Sequence, residues 1–512
     1  MKSGFLLGVD IGTYSSKGVL VASDTGHVAA SHVIEHSLSM PKPGWVEHDA
    51  ETIWWGEFVS ICRELITSSG IFSDQIKGVG VSGIGNCVLP VDEDGNPLRP
   101  AILYGIDTRA TREIEELESK IGREEIFKIS ATHLSSSASG PKILWLKNNE
   151  PDIYEKARWF LNSHSFIVYR LTGRATVDIY TAGGCAPLLD VEKRTWNADT
   201  AAYITPLHKL PELAWSSEVV GTVSAQASQK TGLAQGTPVV AGTIDAAAEA
   251  LSAGIKDFGD MMMMFGSSNS IILKSDKLVR TENFWGLNWI EPGTYAVVGG
   301  MSTVGSLTRW FRDTLSPLEL ATHKQGGENA YAALAGLTAD SSPGANGLIV
   351  LPYFEGERTP IYDPDAKGAF FGLTLKHTRA DMYRALLESV GYGIRHNVES
   401  LREEGLAAKR ILAVGGGTKN LEWMQIISDI ANVEMAVPEK QIGSSYGDAF
   451  MAGVGVGIFK SLQEITRWVT PGTGIKPDSE RSALYEPYYR IFRDLYQQTK
   501  DLMHDLSAQK RA

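Results

Sequence analysis

The sequence predicts an α/β protein of two lobes, each a mixed β-sheet flanked by helices. Three observations predict it. The chain opens on three strands, a helix and a fourth strand, a βββαβ order rather than a strict βα alternation. A strand–small polar turn–strand unit occurs near residue 10 and returns near residue 266, which points to one plan used twice. And 512 residues are more than one core supports, at about 100–200 residues per domain.

The elements follow in order. Residues 5–9 are a short apolar strand. Gly12-Thr13-Tyr14-Ser15-Ser16-Lys17 is a polar turn, and 18–22 a second strand. Asp24-Thr25-Gly26 signals a hairpin into a third strand through 27–36. Asp49 starts a helix with Glu51 in its first turn, ending at Ser69-Gly70. An apolar strand follows at 76–82, and 88–91 is a further strand. Residues 238–241 form a buried strand ending at Gly242-Thr243-Ile244-Asp245, after which Ala246–Leu251 opens a helix of strong formers. Residues 260–265 are a strand, Gly266-Ser267-Ser268-Asn269-Ser270 a small-residue turn, and 271–274 the returning strand.

The clearest helix spans 378–401, with Thr378 as cap, Asp381 three residues on, and Met382, Leu386, Val390, Ile394, Val398 and Leu401 as a buried stripe. Gly405 stops it. Residues 410–414 are a strand ending in Gly415-Gly416-Gly417, a helix starts near Asn420, and Gly443–Ala449 leads into a small-residue helix. Residues 190–235 carry few signals.

Composition excludes several classes. Apolar residues make 43% and charged residues 21% of the chain, a globular mix that rules out disorder throughout. Lys and Arg number 48 against 60 Asp and Glu, a formal charge of −12, which argues against a nucleic-acid partner. An anionic small molecule stays open, because backbone N–H groups, a few cations and a metal can hold phosphate locally. No apolar run reaches the roughly 18 residues of a membrane helix, and the start lacks the apolar stretch and cleavage site of a secretory signal. The expectation is a cytoplasmic protein without a membrane partner. Cys62, Cys87 and Cys185 are far apart, neither a disulfide framework nor a metal spacing, and read as buried thiols.

Three motifs are set aside. Gly78-Val79-Gly80-Val81-Ser82-Gly83 matches G-x-G-x-x-G, but its glycines lie inside a strand rather than between a strand and a helix. His32-Val33-Ile34-Glu35-His36 spells H-x-x-E-H, yet that zinc motif needs a helix, and this segment is β-branched and alternating; exposed strand histidines are expected. Met261–Met264 is a buried strand, since Met fills irregular cores.

The residues that carry chemistry begin with Asp10, a carboxylate at a strand end beside a Gly–Thr–Ser turn and Lys17. Such a turn exposes N–H and hydroxyl donors to a terminal phosphate, and the carboxylate suits Mg²⁺ directly or through water. Taken alone, a simple hairpin explains it as well. Gly266-Ser267-Ser268 sits alike in the second half, and Gly415-Gly416-Gly417 lets a flat ring approach the backbone. Asp245 opens a helix. It is either an N-cap or a general base for a hydroxyl attacking phosphorus, and the two roles compete for the same oxygens.

Leu7-Gly8-Val9-Asp10-Ile11-Gly12-Thr13 with Ser16-Lys17 resembles the first phosphate loop of the FGGY carbohydrate kinases. Pro41–Asp49, Leu98–Leu103, Asp107-Thr108-Arg109, Gly242–Ala247, Phe265–Ser268, Leu351-Pro352-Tyr353, Gly356–Pro360, Lys367–Leu373 and Gly415–Gly417 resemble that family too, in order along the chain. The resemblance implies the two-lobed actin-like ATPase (ribonuclease H-like) fold, with residues 1–250 as the sugar and phosphate lobe and 251–512 as the ATP lobe. It implies transfer of the γ-phosphate of ATP, with Mg²⁺, to a sugar or polyol hydroxyl in a cleft that closes on the sugar. Asp245 becomes the catalytic base and Asp10 the metal-side carboxylate. Thr13, Ser16, Lys17, Gly266 and Ser267 become phosphate contacts, and Gly415 and Gly416 the adenosine platform. Asn86, Tyr104, Asp107 and Asp245 are the expected sugar contacts, and a homodimer is allowed.

Gly356–Pro360 and the helix from Thr378 resemble xylulokinases more than glycerol kinases. The chain departs from both at Ile84-Gly85-Asn86, where glycerol kinases carry Arg-Glu and xylulokinases Met-His, and Ala246 follows Asp245 where many xylulokinases have Asn. The stretch Tyr104–Asp107 is one residue longer than in xylulokinases. A ketopentose such as xylulose is the first expectation, and another sugar or polyol the second. An ATPase switch of the actin or chaperone type is the rival, since its loops cradle ATP alike; Asp245 is what separates the two.

Overall fold

Register decides the first hairpin. Phe5–Ile11 runs antiparallel to Ser15–Ala22, with Asp10 opposite Lys17 and Ile11 opposite Ser16. Gly12 N–H donates to Ser15 O at 3.0 Å and closes the turn. The turn is therefore only Gly12-Thr13-Tyr14. Ser15, Ser16 and Lys17, expected in it, are already strand, because pairing continues to the tightest turn the chain can make. Val28–Glu35 adds antiparallel to the hairpin, and Ile76–Gly83 adds parallel on the other side. The computed structural model describes residues 4–470 and 472–511.

The chain divides into two compact units. The first comprises the described residues up to Phe258 together with Lys274–Val297 and Ile442–Thr470. Its main sheet runs Val219–Thr222, Pro238–Val240, Ile76–Gly83, Phe5–Ile11, Ser15–Ala22, Val28–Glu35, with the short strand Thr243–Ile244 also paired to Ile76–Gly83. The helix Glu57–Ser69 covers one face, where Ile61 and Leu65 lie against Gly18. It is preceded by a π-helical turn, Ala50–Gly56, capped by Asp49, whose carboxylate accepts Thr52 N–H at 2.9 Å.

The helix Ser444–Gly455 covers the other face. It approaches so closely that a Cβ at Gly80 would lie 2.1 Å from Asp448 O, and one at Gly8 1.8 Å from Ser445 O. Two glycines of the G-x-G-x-x-G match, Gly78 and Gly80, make room for this helix, and the third, Gly83, makes room for Ser163; none serves a dinucleotide. The weakly patterned 190–235 region holds the helices Ala198–Ile204 and Ala225–Thr231 and the strands Glu212–Ala214 and Val219–Thr222, all too short to show a period.

The second unit comprises Gly259–Leu273, Val298–Gln441 and the described residues after Pro471. It repeats the first unit's plan. Asp260–Phe265 pairs antiparallel with Asn269–Ser275 and parallel with Arg410–Val414, which continues through Met435–Val437 to Thr473–Ile475. The helix Arg379–Glu403 carries the expected capping box of Thr378 and Asp381. It is buried well beyond the predicted stripe, because Leu421–Ala431 packs on it and Tyr485 and Tyr489, from the terminal helix Ser479–Arg511, lie against its Tyr392. Arg384, Glu388 and Tyr485 hydrogen-bond one another inside that contact.

Candidate active site

In the first unit, parallel strands deliver their carboxyl ends to one edge, the usual place for a ligand in an α/β sheet. Asp10 stands beside Ser82 in register, and Thr243 beside Ser82 from the other side, so Asp245 emerges next to them. Ser82 Oγ lies 3.0 Å from Asp10 Oδ1 and 2.7 Å from Asp448 Oδ2. A hydroxyl has one hydrogen. It cannot donate to two carboxylates, so one of the two carboxyls carries a proton in the ligand-free protein. The electrostatics agree. Asp10 is raised far above the ordinary carboxylate range, first by burial and then by the charge of Asp245, against the Ser82 hydrogen bond. Asp448 is raised well above it, again first by burial and then by Asp10.

Asp245 is the first residue of the helix Asp245–Ser252, and its Oδ1 accepts Ala246 N–H at 2.7 Å. Among the described residues no later amide of the first turn donates to it, so the carboxylate is not spent as a helix cap. Burial raises it, and the Ala246 amide opposes the rise. Behind it Asp178 accepts the hydroxyls of Thr243 at 2.9 Å and Ser216 at 2.8 Å, which fixes the strand that presents Asp245. Glu249, one turn further on, is raised by burial and held down by Lys17. Lys17, opposite Asp10, donates to Ile442 O; burial lowers it, while Glu249 and Asp10 favour its charge. A cluster of carboxyls, Asp448 buried and Asp10, Asp245 and Glu249 half-buried, with one lysine suits a cation. Among the described residues no three His, Cys, Asp or Glu are arranged to hold a metal unaided, so a metal there needs ligands from elsewhere, as the phosphates of a nucleotide supply.

The other expected residues divide. Thr13 is at the tip of the turn, its Oγ1 3.2 Å from Tyr104 Oη. Ser16 is fully buried on the opposite face from Asp10 and Lys17, beside Ile11, because strand pairing turns it inward; its hydroxyl does not join the phosphate turn. Tyr104 belongs to a loop fixed from below by Lys142, whose buried ammonium donates to Leu103 O at 2.7 Å, Tyr104 O at 2.9 Å and Ser136 O at 2.6 Å. Burial lowers that lysine to about 8. Asn86 is buried and donates to Thr181 O at 2.6 Å. Asp107 is fully committed: its oxygens take Val46 N–H at 2.7 Å and Arg109 Nη2 at 2.7 Å and Nε at 3.0 Å. It shapes the loop and has no oxygen left over for a sugar.

In the second unit Gly266 and Ser267 form the expected turn, closed by Gly266 N–H to Ser268 O at 2.9 Å. Arg309 donates to Ser267 Oγ at 2.6 Å. Gly266, Ser267, Gly416 and Gly417 line one cleft of about 1010 Å³ with Arg309, Tyr331 and Trp423. Gly415 does not line it; its N–H donates to Gln441 Oε1 at 2.8 Å and so orients the two glycines that do.

Sequence reasoning missed Ser82, Asp448, Glu249, Lys142 and Arg309. Asp448 had a signal: a glycine-interrupted strand and a small-residue helix are what a close strand–helix contact needs, and a carboxylate inside it is out of place. Lys142 and Arg309 had none.

No helix among the described residues is long and apolar enough to cross a membrane. Comparison with known proteins places the chain. The profile described as "FGGY family of carbohydrate kinases, N-terminal domain" matches residues 5–252, and the C-terminal domain of the same family matches 261–456. The crystal structure of xylulose kinase from Rhodospirillum rubrum superposes with a TM-score of 0.90 at 32% identity, covering 98% of this chain and 100% of that one. Xylulose kinase of Escherichia coli K12 is 30% identical across 97% of this chain and 99% of its own length. Gluconokinase of Bacillus subtilis is 28% identical across 96% of each. The fold, the carboxylates at the strand ends and these matches agree: the chain belongs to the FGGY family of carbohydrate kinases, phosphotransferases that act on a sugar hydroxyl.

Proposed function

We propose that this kinase transfers the γ-phosphate of ATP to a hydroxyl of a ketopentose, D-xylulose first. The observation that carries it is Asp245, a half-buried carboxylate left free of helix capping beside a second carboxyl, Asp10. Near-full-length similarity to xylulose kinases selects the sugar.

The chemistry asks for positioning, charge neutralisation and a base for one proton. Asp245 takes the proton of the attacking hydroxyl. Thr13 and Lys17 meet the transferred phosphate from the first unit, and Gly266 and Ser267 hold the nucleotide phosphates from the second. Gly416 and Gly417 make the adenosine platform, and Gly415 orients them. Mg²⁺ arrives with ATP as part of the substrate; it offsets phosphate charge, and Asp10 faces it. Asn86 and Tyr104 contact the sugar, while Asp107 and Lys142 hold the loop that carries Tyr104. The first unit thus carries the base and the acceptor contacts, and the second the nucleotide contacts. The reaction belongs in the cytoplasm, where ATP is abundant.

A second sugar has one observation in its favour. Asn86 stands where xylulokinases carry His, and a gluconokinase matches over the same length. ADP release measured across D-xylulose, other ketoses, gluconate and glycerol decides. D-Xylulose is expected to give the highest kcat/KM and glycerol to be poor. Gluconate exceeding xylulose would replace the substrate, and stimulation by none of them would remove the proposal.

A further inference from the structure

We propose that His36 is a positioning residue for the turn Gly12-Thr13-Tyr14 and that it works as an imidazolium, held between the Glu57 carboxylate and the Gly12 carbonyl. This rests on Thr13 meeting phosphate, as proposed above.

His36 ends the H-x-x-E-H segment and is not the exposed strand histidine its pattern suggests. Its side chain is 6% exposed and that of Glu57 12%. Nδ1 lies 3.0 and 3.2 Å from the two Glu57 oxygens, and Nε2 lies 3.2 Å from Gly12 O. The main chain adds a third tie, His36 N–H to Tyr14 O at 2.9 Å. One residue thus grips both flanks of Thr13, Gly12 by its ring and Tyr14 by its amide.

The protonation state follows from the partners. A backbone carbonyl only accepts, and an ionised carboxylate only accepts. Both ring nitrogens must then donate, and a ring with two N–H groups is an imidazolium. The groups facing the ring are Glu57, from the helix Glu57–Ser69, and His48, from the strand Glu47–His48, with ring centroids 4.9 Å apart. His48 does not share the charge. Its Nδ1 accepts the Trp54 indole N–H at 3.2 Å, and burial, then His36, pushes it down to about 4. A single cation therefore sits directly under the turn, where it favours an anion on the turn's outer side and holds the Thr13 hydroxyl and the turn amides in place to receive it.

The direct test is the ring-nitrogen spectrum of ¹⁵N-histidine-labelled, full-length protein, with the His36 signals assigned by their loss in His36→Gln. Two protonated ring nitrogens are expected at about pH 7, with a change to one in Glu57→Gln. A neutral ring in the unmutated protein overturns the proposal, because the proton then sits on Glu57. Kinetics test the positioning role. His36→Ala should raise the ATP KM and lower kcat, together roughly ten- to a hundredfold in kcat/KM, the scale of a charge-assisted hydrogen bond. Sugar affinity measured without nucleotide should stay within about twofold. His36→Gln, which keeps one donor for Gly12, should fall between the two and serves also if His36→Ala does not fold. Variants with ATP kinetics within about twofold of the parent overturn the positioning role. Thr13→Val separates the two layers. If it leaves the ATP KM unchanged while His36→Ala raises it, the Thr13 contact fails and the His36 role stands.

Discussion

The Asp448 carboxyl receives the Ser82 hydroxyl at 2.7 Å in a place no water reaches. Its other oxygen, Oδ1, is buried with no hydrogen-bond partner among the described residues. An acid held so is raised in the folded state, so between its unfolded value near 3.9 and its folded value the native protein binds the extra proton. Stability then falls as pH rises through that window, by up to about 1.4 kcal/mol per pH unit for each such group. Ligand-free protein should lose thermal stability from about pH 5 to 8, and Asp448→Asn should flatten the slope and melt higher at the alkaline end. Asp10, raised likewise, keeps the slope from vanishing. Parallel melting-temperature profiles for the two proteins would contradict this.

Asp245 is the residue whose loss should be chemical rather than structural. Asp245→Asn keeps the shape and the Ala246 contact but removes the base. Turnover should fall roughly 10²–10⁴-fold, the scale of general acid–base help, with ATP and sugar affinities retained. Because the carboxyl is raised by burial, kcat/KM of the parent should also fall on the acid side at a pH above the ordinary carboxylate value of about 3.9. A folded Asp245→Asn enzyme with near-parental turnover would remove its role.

Lys142 links packing to the sugar side. Lys142→Met deletes a buried cation and removes its donors from the carbonyls of Leu103, Tyr104 and Ser136, of which Tyr104 O keeps the Asp107 N–H at 3.0 Å. Each orphaned group costs about 1–3 kcal/mol, so the variant should melt lower. The sugar KM should rise more than the ATP KM, because Tyr104 moves. Equal changes in both would mean that Lys142 only supports the fold.

Gly80→Ala tests the close packing of Ser444–Gly455. The added methyl would meet backbone at 2.1 Å, and backbone cannot rotate away. Overpacking should cost at least about 1–3 kcal/mol and push Asp448 off Ser82. Parental stability with parental activity would show that the helix does not lie as described.

Much of the fold was legible because it is local. The hairpin 5–22, the helix capped by Thr378 and the strand ending at Gly415 are each set by neighbours within a few residues. So was the family, whose motifs cluster at strand ends. The site was legible only in part. Asp10 and Asp245 announce themselves as carboxylates at strand ends. Ser16 misled, because whether a residue faces ligand or core depends on where the hairpin turns, and the returning strand begins at Ser15, three residues before the expected start at Gly18. Asp107 misled for another reason: Arg109, two residues on, takes its oxygens. Lys142 and His36 act through contacts with residues 38 and 24 positions away, which no local pattern encodes.

The most direct measurement follows the phosphate. ATP labelled at the γ position is incubated with the enzyme, Mg²⁺ and D-xylulose, and the label is counted in sugar phosphate and in inorganic phosphate. The prediction is that nearly every ADP formed is matched by one labelled sugar phosphate, that Asp245→Asn abolishes the transfer, and that little ATP is consumed without sugar. Label appearing as inorganic phosphate at the same rate with and without any sugar would contradict it and leave an ATPase in place of the kinase.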